Sequence, residues 1–122
     1  ADEAAIEAHV HEIAGFDKAD RNFFLSLLRG ILKQRVELVK AIEPHLDRKF
    51  DELSPIEASI LLLGGYELQA HPETPYRVVI NEAIELAKSY GGTDGHKYVN
   101  GVLDKLAAKL RPVEVEARQR GR

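Results

Sequence analysis

Cysteine is absent from all 122 residues. That excludes disulfides, thiol nucleophiles and cysteine-based zinc sites, and nothing points to an oxidising compartment. Methionine is absent too; removal of an initiator before Ala1 and a chain that starts further upstream account for this equally well. No apolar run approaches the roughly 18 residues that a membrane helix needs. No positively charged start precedes an apolar segment, so no signal peptide is visible and no membrane association is expected. Cytoplasm is the default expectation. A strongly basic balance is also missing: the formal net charge is −3. Residues 1–20 hold Asp2, Glu3, Glu7, Glu12, Asp17 and Asp20 against Lys18 alone, which leaves the remainder at +2. Neither half carries the basic footprint that usually announces a nucleic-acid binder.

Catalytic and metal signatures are equally scarce. There is no P-loop, no GxSxG and no carboxylate pair placed for general acid–base work. His11-Glu12 begins like a zinc-protease helix, but the second histidine would fall at Gly15. His9 and His11 point to different sides of a helix, and His45, His71 and His96 are scattered. Glu82 and Glu85, three apart on one helix, read as a solvated face. The expectation is no enzyme, no metal and no cofactor.

What is present is helical periodicity. Hydrophobic residues make up 44% and charged residues 30% of the chain, enough for one domain with its own core and solvated helices. Ile6, Val10 and Ile13 suggest a helix over 2–14, closed by Gly15. From Asp17 an apolar stripe through Phe24, Leu27, Leu28, Ile31, Leu32, Leu38, Val39 and Ile42 predicts one long helix, ended by Pro44. Residues 45–52 read as a helical turn or loop. Ser54-Pro55-Ile56-Glu57 combines an N-cap, a proline at the first helical position and a capping-box glutamate. The helix after it, about 55–69, is apolar on most faces and belongs at the centre, with Gly64-Gly65 allowing a neighbour to approach closely. Thr74-Pro75 repeats the cap-then-proline signal for a helix over 76–90. Gly91-Gly92 ends that helix, Asp94 caps the next, about 95–110, and Arg111-Pro112 terminates it. The fold class is therefore all-α, a compact bundle of five or six helices, with residues 113–122 as a flexible tail.

Several polar residues exceed what a folded bundle requires. The corner Gly91-Gly92-Thr93-Asp94-Gly95-His96-Lys97-Tyr98 is explained in part by turn and cap chemistry. His96 and Lys97 beside Tyr98 also offer cations for phosphate and a stacking face for an unpaired base; both accounts stay open on the residues alone. Asn81 and Asn100 sit in mostly apolar segments, and a buried, backbone-satisfied amide is the account favoured for Asn81. Arg29, Lys33 and Lys40 form a partial basic stripe on the long helix, read as a solvated face.

The run PYRVVINEAIELAKSYGGTDGHKYVNGVLDKLA, residues 75–107, resembles the C-terminal signature of the NusB family of transcription antitermination factors. The matching features are the Pro-Tyr-x-Val start, INEAIELAK, the Gly-x-x-Asp-x-His-Lys-(Phe/Tyr) corner and VNGVLDK. Upstream, SPIEASILLLGGYEL resembles the family's central buried helix, and the long helix ending near Pro44 also fits. The resemblance implies two packed helical subdomains, here residues 1–52 and 53–112. It implies binding of single-stranded boxA RNA together with a small-subunit ribosomal protein acting as NusE, in an RNA polymerase antitermination complex, with a homodimer also allowed. By position, Asp94, His96, Lys97 and Tyr98 become RNA-face candidates. Arg77 is a further candidate for that face, and Glu57 for the partner face. The departure is at the start: such proteins usually open with an Arg-rich helix, and this sequence begins with an acidic segment instead. The expectation is that the first helix is missing here, and with it part of the basic surface. An RNA-targeting domain of an rRNA methyltransferase and a helical protein-interaction or oligomerisation module are the alternatives.

Overall fold

The computed structural model describes residue 8, residues 21–90 and residues 95–121. Among these, six α-helices follow one another without a strand: α1 Arg21–Lys33, α2 Arg35–Ile42, α3 Pro55–Ala70, α4 Tyr76–Tyr90, α5 Gly95–Leu110 and α6 Pro112–Arg120. The helix expected over 2–14 and the corner Gly91–Asp94 fall outside the described residues, apart from Ala8.

The long helix bends where the sequence predicted continuity. Gln34, at φ −105° and ψ 14°, separates α1 from α2. The hydrogen-bond ladder still crosses the bend, from Gln34 N–H to Gly30 O and from Leu38 N–H to Gln34 O. Leu28, Ile31, Leu38 and Ile42 of the predicted stripe are buried, but Leu32 is 43% exposed. Arg29, Lys33 and Lys40 are all exposed, as a solvated face requires. Pro44 ends α2 in a 3-10 turn, Glu43–His45. The Glu43 carboxylate accepts the Phe50 amide at 2.9 Å, which fixes the loop so that Phe50 is buried.

Helix α3 forms the centre. Its start is closed by the predicted capping box: Ser54 Oγ accepts the Glu57 amide at 3.1 Å while the Glu57 carboxylate reaches back to Ser54. Ala58, Ile60, Leu61, Leu62 and Leu68 are buried on several sides at once, so no single face of the helix meets water. Each such large aliphatic side chain contributes about 1.5–3 kcal/mol by leaving water. The two glycines admit their neighbours. A Cβ at Gly64 would lie 2.9 Å from Leu103 Cδ1, and one at Gly65 would lie 3.3 Å from Ile42 Cδ1.

The C-terminal segment corrects the sequence reading. Residues 113–122 were expected to form a flexible tail, yet Pro112–Arg120 is a helix. Pro112 stands at its first position, where a missing N–H does no harm. What holds α6 in place is Arg111, 8% exposed. Its guanidinium donates to the carbonyls of Leu68, Glu67, His71 and Thr74 and to the Glu114 carboxylate. The second Glu114 oxygen accepts the Tyr76 amide at 2.7 Å. The first turn of α4 is thus satisfied by a carboxylate from α6, which no local motif could announce. Asn81, expected as a buried amide, is exposed on α4.

Burial has an electrostatic consequence at Glu67. Its carboxyl is pushed above the usual glutamate range by burial first and by Glu82 second. A raised acid is held protonated more readily in the fold than in the unfolded chain. Stability therefore falls as pH rises from the ordinary glutamate value through the raised one. Glu67→Gln should melt higher than the parent at neutral pH, and the gap should close near about pH 4. Thermal melts at both pH values check this; a gap that persists at the lower pH would point to packing instead of charge.

Candidate nucleic-acid interface

The 3-10 turn after α2 and one side of α5 enclose a groove of about 340 Å³, lined by residues that include His45, Asp47, Lys97, Tyr98, Gly101 and Lys105. Tyr98 forms one wall. Its hydroxyl donates to Asp47 Oδ1 at 3.0 Å. Arg48 donates to both Asp47 oxygens, at 2.7 and 3.1 Å, and its guanidinium carbon stands 5.0 Å from the Tyr98 ring centroid. The hydrogen bond from Arg48, then that from Tyr98, holds the Asp47 carboxyl down to about 2. A depressed carboxyl keeps its contacts above that value and loses them only as pH falls through it. The arrangement therefore persists throughout the neutral range. Burial, then the Asp47 bond, raises the Tyr98 phenol, which stays neutral there.

Cations surround this wall. Lys97 and Lys105 are exposed on α5, eight residues apart and on one side of the helix. Burial, then Lys109 and Lys105, lowers the His45 imidazole, so it is neutral near pH 7. The groove thus offers a pinned aromatic ring, a stacked guanidinium and ammonium groups. That set suits an unpaired base and its phosphates. Among the described residues, no cluster of three or more histidines or carboxylates could hold a metal. Among the described residues, no helix is long and apolar enough to cross a membrane either.

The predicted residues divide. Lys97 and Tyr98 meet in the groove. Glu57 stands beside the start of α5: its Oε2 lies 3.9 Å from where a Cβ on Gly95 would sit. His96 is half-buried on a neighbouring face, and its Nδ1 is enclosed with no partner among the described residues. Arg77 lies away from the groove lining, paired with Asp104 at 3.3 Å and 5.9 Å from the Tyr76 ring centroid. Asp94 lies outside the described residues. Sequence reasoning missed Asp47, Arg48, His45 and Lys105. For Lys105 a signal existed, the helical spacing Lys97–Gly101–Lys105. For Asp47 and Arg48 none did, since 51 positions separate Asp47 from Tyr98.

A family model described as the NusB family matches residues 1–108. The chain belongs to the NusB family. Among curated relatives, the transcription antitermination protein NusB of Dechloromonas aromatica (strain RCB) is 62% identical over 122 residues, covering all of this chain and 75% of that protein. The transcription antitermination protein NusB of Nitrosospira multiformis is 64% identical over 113 residues, covering 93% of this chain and 72% of that protein. A solved structure of T. maritima NusB shares the fold with a TM-score of 0.72 at 27% identity, over 87% of each chain. The all-helical NusB architecture and the role in transcription antitermination expected from the 75–107 signature are both found.

Proposed function

We propose that this chain acts in transcription antitermination by holding single-stranded boxA-type RNA against the groove between the 3-10 turn Glu43–His45 and α5. A small-subunit ribosomal protein acting as NusE joins it, and the pair modifies RNA polymerase in the cytoplasm. The observation that carries this reading is the pinned Tyr98 ring with Arg48 above it and Lys97 and Lys105 alongside. Tyr98 supplies a stacking face whose position is set by Asp47, and the cations meet the phosphates. By the family signature, Asp94 and His96 are further candidates for contact with the RNA. Arg77 joins them only by releasing Asp104. Glu57, held by its capping box beside the start of α5, is the candidate contact for the protein partner. Catalysis has no part in this role.

The test is an RNA titration at two salt concentrations, with and without the ribosomal protein. Tyr98→Ala should weaken boxA binding by about tenfold, since one base–aromatic stack contributes about 1–3 kcal/mol. Lys105→Gln should weaken all RNAs similarly and lower the salt slope by about one. Equal affinity for boxA and a scrambled strand, with the partner present, would overturn the reading.

A further inference from the structure

Gly101 lies in the interior of α5, where glycine is destabilising relative to alanine. Two usual reasons for such a glycine are missing. Its φ is not in the left-handed region, and beyond its own helix backbone a Cβ there would meet no atom of the described residues within 4 Å. At Gly64, by contrast, Leu103 fills that space. What Gly101 does face is the groove. Lys97 precedes it by one turn and Lys105 follows by one turn, on the same side of the helix, about 12 Å apart along the axis. Tyr98 and Asp47 stand at the wall beside it.

We propose that Gly101 is a contact point for RNA: the sugar–phosphate backbone of the bound strand crosses α5 there, seated on the bare helix surface. Phosphates on either side of the crossing lie beside Lys97 and Lys105, and the intervening base turns toward Tyr98. This deepens the RNA reading above and rests on it. The charge of the groove selects the occupant. Cations flank the bare patch on both sides, and the carboxylate in the groove lining, Asp47, is already engaged by Arg48 and by the Tyr98 hydroxyl. A methyl group at position 101 would hold the strand off the helix.

Gly101→Ala separates this from a structural role, because the two effects have opposite signs. The variant should melt about 3–5 °C higher than the parent, through improved helix propensity. It should bind a fluorescein-labelled single-stranded boxA RNA about tenfold more weakly, with unchanged affinity for the ribosomal protein. Gly101→Ala that binds RNA as the parent does, while Tyr98→Ala is weakened, overturns this proposal and leaves the RNA reading standing. A variant that melts lower makes Gly101 structural and also overturns it. Weakened binding of the ribosomal protein with RNA binding intact moves the patch to a protein interface. Absence of RNA binding by the parent itself removes both.

Discussion

Replacing Arg111 by methionine should lower the unfolding free energy by about 3–5 kcal/mol, the range for removing one partner from a buried charged network. The side chain is buried, and its guanidinium makes hydrogen bonds to four backbone carbonyls and one carboxylate. Two of those carbonyls have other partners: Glu67 O also accepts the His71 amide, and His71 O the Thr74 amide. Leu68 O and Thr74 O would be left behind, each at about 1–3 kcal/mol if no water reaches it. Glu114 would also lose the cation that orients it toward the Tyr76 amide, so the start of α4 loosens with the start of α6. A domain of this size has only about 5–15 kcal/mol of stability in total. Arg111→Lys keeps the charge but not the planar fork, and should fall between parent and methionine variant. Arg120→Ala is the control: its pair with Glu116 is exposed, and exposed pairs contribute about 0–1 kcal/mol. Urea unfolding of the three variants checks this, and a loss below about 1 kcal/mol for Arg111→Met would show that water replaces the guanidinium.

The second large effect is at the crossing of α3 and α5. Leu103 is 0% exposed, and its Cδ1 and Cδ2 atoms lie 2.9 and 3.1 Å from where a Cβ on Gly64 would stand. Leu103→Ala should lose about 2–5 kcal/mol, combining transfer and cavity contributions. Gly64→Ala gains roughly 1 kcal/mol of helix propensity but overpacks the crossing by about 1–3 kcal/mol. Together the two changes fit each other, because the new methyl group enters the space the leucine vacates. The double variant should therefore be more stable than the sum of the single losses predicts, by about 1 kcal/mol. A double-mutant cycle in denaturant measures this coupling. Strict additivity would mean that the helices move apart freely and that the close approach at Gly64 does not set their spacing.

These two contacts show where local pattern stops being informative. Ser54-Pro55-Ile56-Glu57 announces its own structure, because cap, proline and glutamate lie within one helical turn and satisfy each other. The all-round apolar character of α3 likewise places it at the centre, since no orientation could keep such a helix on the surface. Gly64-Gly65 signals a close neighbour without saying which one. Arg111, in contrast, reads as a helix terminator followed by a polar tail, and its partners lie about 40 residues earlier. The bend at Gln34 has no proline or glycine to mark it, and the apolar stripe continues across it.

The candidate site divides in the same way. Lys97 and Tyr98 are visible as a cation and an aromatic in excess of what a helical corner requires, and the family signature runs through them. The partners of Tyr98 are not visible, because Asp47 and Arg48 follow α2 in an ordinary loop and meet the ring only when α5 packs beside that turn. By itself the sequence determined the all-helical class, the central helix, the family and half of the groove, because each rests on periodicity, capping or a continuous motif. Only the tertiary structure decided the docking of α6 through Arg111, the pinning of Tyr98 and the open flank of Gly101. Those depend on side chains distant in the chain that become neighbours only when the helices pack.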